Sequence, residues 1–379
     1  MVDDNEYTPH IVIDNGSGYI KAGLAGEELP KAIFPTMIGY PKNTSKNAYC
    51  GGSYYIGTAA ENKIEELEIV YPFENGVIKY WDYMEKIWSH IFTNELEVDP
   101  KENNVLITEV PSNPKEYKKK IAQIMFEKFN VPGLYIANPG VLNMYCAGRF
   151  TGFSIDLGDR FTNFTPVFDG FSLPYANFRQ HLGGKDLTEY IVKALLDEGY
   201  SFFTKSSRLI AEKIKEKACY VALYYEKEIS RYVEPFDYEL PDGKHVIIRA
   251  PRIICPEILF KPDIVGIEVG IHKIEEICND SIQKCDDIGI RKELYNSIVL
   301  AGGTSMFNGL PERLTKEIKA LVSESMKEEV KVIAFPERKY AAWIGGSIIS
   351  SISKFEGILI TKDEYEEYGE NIVRRKCFN

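Results

Sequence analysis

Three turns in this sequence carry residue types suited to holding a phosphate-bearing ligand. The apolar run Ile11–Asp14 ends in an aspartate and passes into Asn15-Gly16-Ser17-Gly18. Phe153–Asp156 also ends in an aspartate and passes into Leu157-Gly158-Asp159-Arg160. A third run, Ser297–Leu300, leads into Ala301-Gly302-Gly303-Thr304 and then into a helical pattern from Leu310. A strand, a Gly-Gly turn and a helix start let a ligand approach both the backbone and the helix N-terminus. Each hairpin alone is a common structure, and coincidence is the competing reading. The first two turns share a layout, however: a β-rich run ending in Asp, a Gly-containing turn, then a return strand ending near Gly26 or Gly170. They lie roughly one domain length apart, which suggests a duplicated α/β unit.

The elements that must position these turns are legible in outline. Ile11–Asp14 reads as a buried strand, and Lys21–Gly26 as its return strand in a hairpin. Pro41 to Tyr54 is polar, carries Gly51-Gly52 and reads as a loop. Trp81, Met84, Ile87, Trp88 and Ile91 fall at helical spacing, so Trp81 to Phe92 is an amphipathic helix. Val105–Glu109 is a short strand, and Asn113-Pro114 opens a helix running through Phe129. Trp343-Ile344-Gly345-Gly346-Ser347 reads as a small-residue turn leading into an apolar segment.

Composition narrows the class. The chain has 379 residues, a net charge of −11 and 27% charged residues, and its hydrophobic fraction of 44% is that of an ordinary globular protein. An acidic chain lacks the broad basic field that nucleic acid requires, so nucleic acid is not an expected partner. Its 7 cysteines are scattered and form no CxxC pair, which argues against a disulfide framework or zinc ribbon and for a reducing compartment. The acidic start is not a signal peptide, and no run of about 18 apolar residues predicts a membrane span. The Arg-Lys-Cys-Phe-Asn end is no prenylation box.

Several longer runs carry a resemblance. Trp81-Asp-Tyr-Met-Glu-Lys-Ile-Trp88, Gln123-Ile-Met-Phe-Glu-Lys-Phe129, Ile214-Lys-Glu-Lys-Ala-Cys-Tyr-Val-Ala-Leu223, Glu239-Leu-Pro-Asp-Gly243 and Pro336-Glu-Arg-Lys-Tyr-Ala-Ala-Trp-Ile-Gly-Gly-Ser347 stand in this order. Together with the Asp14 turn and the Arg375-Lys-Cys-Phe378 tail, they make the whole chain resemble actin. The resemblance implies an α/β, actin-like ATPase fold. Two duplicated α/β lobes, four subdomains in all, would hold nucleotide in a central cleft. The small lobe would comprise 1–146 plus 341–379, with a mobile insertion at about 36–70. The large lobe would comprise 147–340, with an insertion at about 183–272.

The resemblance also implies roles. Gly16, Ser17 and Gly18 would surround the β- and γ-phosphates of ATP with backbone N–H groups, and Lys21 would supply a cation. Asp14 and, symmetrically, Asp156 would position waters of Mg²⁺, a hard cation that keeps several of its waters. Gly158, Asp159 and Arg160 would line the γ-phosphate side. The nucleoside end would fall to Gly184, Lys215, Glu216, Gly302, Gly303, Met306 and Lys339. In that set Glu216 would accept from a ribose hydroxyl, and the two lysines would lie over or beside the purine.

Departures from the family pattern bear on catalysis. Where actins carry a glutamine that orients the attacking water, this chain has Pro139, and where they carry a neighbouring histidine it has Asn163. Proline has no side-chain donor or acceptor, and asparagine is no base at neutral pH. Asn138 is a partial stand-in if its loop shifts. Arg160 replaces a glycine, and either caps the γ-phosphate as an arginine finger does or blocks the turn. The expected function is an ATP-binding, actin-like cytoskeletal protein of the cytoplasm that forms or joins filaments, with hydrolysis slow or lost. The alternative is a non-hydrolysing structural subunit of a larger assembly that uses ATP as a structural ligand. A sugar-kinase-type activity is disfavoured, because the matches outside the cleft are to actin. Partners would be other actin-family subunits. Actin-binding proteins would meet a groove of Tyr145, Gly148, Phe150, Ile349, Ile352 and Ile358, where Phe150 and Lys354 replace smaller residues. Filament contacts would also differ at Tyr49 in the polar loop, at Asn75 (the position of a modified histidine) and in a shortened plug of Ile264, Val265 and Ile267.

Overall fold

A computed structural model of the chain describes residues 10–42, 53–74, 76–110, 113–266 and 270–377. Tyr49, Asn75, Ile267 and Phe378 lie outside the described residues. The chain divides into two compact units, Met1–Gly148 with Tyr340–Asn379, and Arg149–Lys339.

The first unit is built on a six-stranded sheet. Its order is Ile360–Thr361, Gly133–Ala137, Val105–Thr108, Ile11–Asn15, Tyr19–Leu24, Ala32–Pro35. Ile11–Asn15 pairs antiparallel with Tyr19–Leu24, which places Asp14 opposite Lys21. On its other side it runs parallel to Val105–Thr108, which runs parallel in turn to Gly133–Ala137. Parallel strands covered on both faces need continuous apolar runs. Accordingly Ile11, Val12, Ile13, Val105, Leu106 and Ile107 are all fully buried.

The helix predicted from Trp81 is present as Trp81–His90 and continues as a wider π-helical turn, Ile91–Leu96. The helix after Pro114 behaves alike, Lys115–Gln123 followed by Ile124–Lys128. The return strand of the first hairpin begins two residues earlier than Lys21, at Tyr19.

One expectation is corrected. Trp343–Ser347 is no turn but the interior of the helix Ala341–Ser350. Its glycines serve packing rather than backbone conformation. A Cβ on Gly345 would stand 1.9 Å from the Leu142 carbonyl oxygen, and one on Gly346 would stand 2.8 Å from Val12 Cγ1. Small residues there let the helix lie directly against Pro139–Cys146 and the sheet. The Trp343 indole N–H then donates to the Val12 carbonyl at 3.1 Å.

The second unit repeats the plan. Gly152–Leu157 pairs antiparallel with Thr162–Phe168, which sets Asp156 opposite Asn163. It runs parallel to Ile298–Ala301, which runs parallel to Val332–Ile333. Phe171–Ser172 and Phe178–Gln180 extend the sheet beyond Thr162–Phe168. The helices Gly184–Asp197, Lys205–Ala218, Pro251–Glu257, Ile274–Gln283 and Leu310–Leu321 bury their apolar faces in this unit's core. Among the described residues no helix is long and apolar enough to cross a membrane.

Candidate phosphate-binding turns

In the first unit the chemistry gathers at the carboxyl ends of the parallel strands, where open α/β sheets bind ligands. Asp14 is buried to 9% exposure. One carboxylate oxygen takes the Lys21 ammonium at 3.0 Å, and the other accepts the Thr108 hydroxyl at 2.9 Å. Thr108 Oγ1 in turn accepts the Asn15 N–H at 2.8 Å. Lys21 and Asp14 face each other because they are cross-strand partners. Thr108 joins them because its strand is the parallel neighbour.

The glycine turn is pinned from behind. Gly16 N–H donates to the Asp14 carbonyl at 3.0 Å, and the Gly16 carbonyl accepts the Thr36 hydroxyl at 2.7 Å. The Gly18 carbonyl accepts the Thr36 N–H at 2.9 Å. A Cβ on Gly16 would lie 2.3 Å from the Tyr19 carbonyl oxygen, so a side chain there would break the turn. Ser17 sits between them, half-buried.

The next parallel strand ends at Ala137, opposite Thr108. Asn138 caps the helix Pro139–Cys146: its side-chain oxygen accepts the Gly140 N–H at 2.9 Å. Pro139 occupies the first helical position, where its missing N–H costs nothing. Asn138 and Pro139 are both buried. The Asn138 oxygen is committed to the cap, so that residue does not present it to a ligand.

The second unit offers a denser cradle. Gly158 N–H donates to the Phe161 carbonyl at 2.9 Å, which closes a tight turn with Asp159 and Arg160 at its tip. Arg160 Nε lies 3.9 Å from the Asp159 carboxylate, a loose contact. The Gly158 carbonyl accepts both the Thr304 hydroxyl at 2.8 Å and the Gly184 N–H at 3.0 Å. The Asp159 carbonyl accepts the Lys185 N–H at 2.8 Å. Two distant segments therefore converge on one turn.

Gly302 is held at φ +84°, and a Cβ there would meet the Leu157 carbonyl at 2.3 Å and Asp156 Oδ1 at 2.5 Å. Only glycine tolerates both the left-handed backbone and that approach. Gly303 beside it faces open space. Asn163, the cross-strand partner of Asp156, keeps its side-chain oxygen buried without a hydrogen-bond partner among the described residues.

The lysines are placed unequally. Lys215 is buried at 6% exposure, and its ammonium donates to the Gly184 carbonyl and to the Thr188 hydroxyl, each at 2.8 Å. It braces the start of the helix Gly184–Asp197. Burial pushes the Asp186 carboxyl of that helix start upward, with Asp159 adding to the effect, although the Gly183 N–H donates to it at 2.8 Å. Glu216, one residue on, is exposed, as are Met306 and Lys339. Arg338, next to Lys339, anchors its segment to the third turn. Its carbonyl accepts the Gly302 N–H at 3.1 Å, and its guanidinium donates to the Ser305 carbonyl at 3.0 Å.

The structure thus brings Asp14, Gly16, Gly18 and Lys21 together in one unit, and Asp156, Gly158, Asp159, Gly184, Lys215 and Gly302 in the other. It adds Thr108, Thr304, Thr188 and Arg338, which sequence reasoning did not single out. Thr304 closed the Ala301–Thr304 run, and Thr108 lay inside the recognised strand Val105–Glu109. Of the groove residues, Phe150, Ile352 and Ile358 expose apolar side chains, and Tyr145 and Ile349 pack against the first unit's core. A family model described as Actin matches residues 5–378.

Proposed function

The chain belongs to the actin family, and from that premise we propose that it binds Mg-ATP, forms or joins actin-type cytoskeletal filaments, and hydrolyses the nucleotide slowly or not at all. The observation that carries nucleotide binding is the repeated Asp–Gly hairpin. Asp14 opposite Lys21 and Asp156 opposite Asn163 stand at the same register of equivalent strand pairs. Each is followed by a turn into which glycine alone fits or which neighbouring backbone closes off. Such a pair supports triphosphate binding: the first turn brings Ser17, Gly18 and Lys21, and the second Asp159 and Arg160, while the Gly16 and Gly158 N–H groups close the turns themselves.

Mg²⁺ would come with the phosphates, since it keeps several waters and takes one or two carboxylates. Asp14 and Asp156 fit that part. Among the described residues no group of three or more His, Cys, Asp or Glu side chains is arranged to hold a metal without such help. Arg160, Gly303, Glu216, Met306 and Lys339 complete the proposed contacts.

Slow hydrolysis rests on Pro139. Its buried ring offers no hydrogen bond to a water, and the preceding Asn138 spends its oxygen on the helix cap, leaving only its buried Nδ2 without a partner among the described residues. Asn163 has no basic nitrogen to receive a proton. The same observation favours the second reading, a non-hydrolysing structural subunit that gains stability from bound ATP.

Three measurements on the pure protein test the proposal. Displacement of a fluorescent ATP analogue should show binding in Mg²⁺. Phosphate release over hours should fall far below that of a conventional actin run in parallel, and equal turnover refutes the slow-hydrolysis reading. Pelleting and electron microscopy under polymerising salt separate the readings: filaments support the first, and a strict monomer supports the second.

A further inference from the structure

In the second unit two carboxylates share one guanidinium, and a third lies on the helix packed against it. Glu257 is fully buried, and both its oxygens take Arg313, from Nη1 and Nη2, at 2.9 Å each. Arg313 Nη1 also donates to the Ala222 carbonyl at 2.7 Å, and Nε donates to Glu317 at 2.7 Å. Glu317 takes the Lys316 ammonium as well, at 2.8 Å. Arg313 and Lys316 therefore hold Glu317 below the usual carboxylate range, although its partial burial opposes them.

The third carboxylate is left out. Glu275 lies in the first turn of Ile274–Gln283, which packs against Leu310–Leu321, the helix that carries Arg313 and Glu317. It is 7% exposed, and its Oε2 is buried with no hydrogen-bond partner among the described residues. Its own backbone N–H and Lys273 favour the charge, while Glu317 across the packed helix and Glu276 on its own helix oppose it. Lys273 is itself engaged by Glu276 at 2.7 Å. Among the described residues three further elements meet this helix. Pro174–Ala176, whose last carbonyl accepts the Ser281 hydroxyl, brings only Tyr175. The strand Thr162–Phe168 brings no titratable side chain. Ile288–Asn296 brings Arg291, which donates to the Cys285 carbonyl, Lys292, which lies 3.7 Å from Glu329, Glu293, and Tyr295, whose hydroxyl donates to Asn279. Cys278, buried on the same helix, adds no positive charge. A buried carboxylate without a cation or a donor for one oxygen is costly when ionised and cheap when protonated.

We propose that Glu275 is a proton-operated latch: neutral, it keeps the first turn of Ile274–Gln283 docked on Leu310–Leu321, and ionised, it loosens that turn and the chain that enters it. The entering chain is held by few bonds. His272 N–H donates to the Gln180 side chain at 2.9 Å, and Ile274 N–H donates to the Leu259 carbonyl at 3.1 Å. Burial first, and then the Glu317 charge, pushes the Glu275 carboxyl up to about 7. The direction of the effect follows from that shift. The docked form holds its proton up to about pH 7, whereas the open form releases it near 4.5, as an ordinary solvated glutamate does. Docking is therefore strongest below pH 4.5, weakens as pH rises, and stops changing above about 7. Acidification within that window tightens the latch.

Hydrogen–deuterium exchange on the full chain at pH 5, 6, 7 and 8, corrected for intrinsic amide rates, tests this. Peptides covering 271–283 should open roughly thirtyfold more often at pH 7 than at pH 5, and change little from 7 to 8. Glu275→Gln should abolish the dependence. Glu317→Gln, which removes the repelling charge but leaves Glu275 in place, should move the plateau to lower pH. Protection of 271–283 that does not vary with pH in the wild-type chain overturns the proposal, and so does an unchanged profile in Glu275→Gln.

Discussion

Gly345→Ala is the smallest change that tests how the first unit is packed. The new methyl would be placed 1.9 Å from the Leu142 carbonyl oxygen, 2.6 Å from its carbon and 3.0 Å from its Cα. All three atoms are backbone, so no rotamer change relieves the contact. A carbon seldom comes closer than 3.0 Å to such an atom, and the two helices must therefore separate by more than an ångström. Ala341–Ser350 has little freedom to move: Trp343 is tied to Val12, and Gly346 lies against the same strand. Overpacking of this kind typically costs about 1–3 kcal/mol, while replacing glycine with alanine inside a helix returns about 1 kcal/mol at most. Because the obstruction is backbone, the upper half of the overpacking range applies, and the net loss is about 1–2 kcal/mol. For a unit of this size that lowers the melting temperature by roughly 2–8 °C.

The assay is thermal or urea unfolding, with Gly357→Ala as control, since a Cβ there meets nothing within 4 Å and the glycine does not need positive φ. The control should lie within about 0.5 kcal/mol of wild type. Equal stability of Gly345→Ala and Gly357→Ala would refute the claim that the glycine pair exists for helix contact. The helix that must yield carries Pro139 at its start, so the same variant also reports on how firmly that residue is held.

Two further outcomes follow from the same coordinates. Gly302→Ala forces a side chain into both a left-handed backbone and the Asp156 carboxylate; if the chain binds Mg-ATP as proposed, the variant should lose most of the resulting thermal shift, and an undiminished shift would mean that the third turn is not part of the site. Cys377 is 2% exposed, its sulfur lies 3.4 Å from the Ile136 N–H, and burial raises the thiol to about 11. Iodoacetamide at pH 8 should therefore label it about a hundredfold more slowly in the native chain than in urea, and equal rates by peptide mass spectrometry would contradict that placement.

What the sequence made legible divides along the range of the interactions involved. Ile11–Asp14 and Phe153–Asp156 were readable because buried strands and glycine turns are local signals, and register then sets Asp14 opposite Lys21 and Asp156 opposite Asn163 without further information. Thr108 was not readable as a site residue. Its hydroxyl reaches Asp14 only because two strands 94 residues apart in sequence are parallel neighbours. Thr304 meets Gly158 across a separation of 146 residues. Gly345-Gly346 misled for the converse reason: a local rule assigns paired glycines to a turn, whereas here a distant carbonyl, not a dihedral, requires them. Lys215 shows the same limit from the side of chemistry, since its helical neighbours Lys213 and Lys217 are exposed and only packing against Gly184 and Thr188 buries its ammonium. Pro139 is the position where the two scales agree. Locally it is a good first residue for a helix capped by Asn138, and at the end of the central parallel strands it leaves a place with no side-chain hydrogen bond to give. Proline there keeps the capped helix start, and on the proposed reading it supplies no side-chain hydrogen bond with which to orient a water.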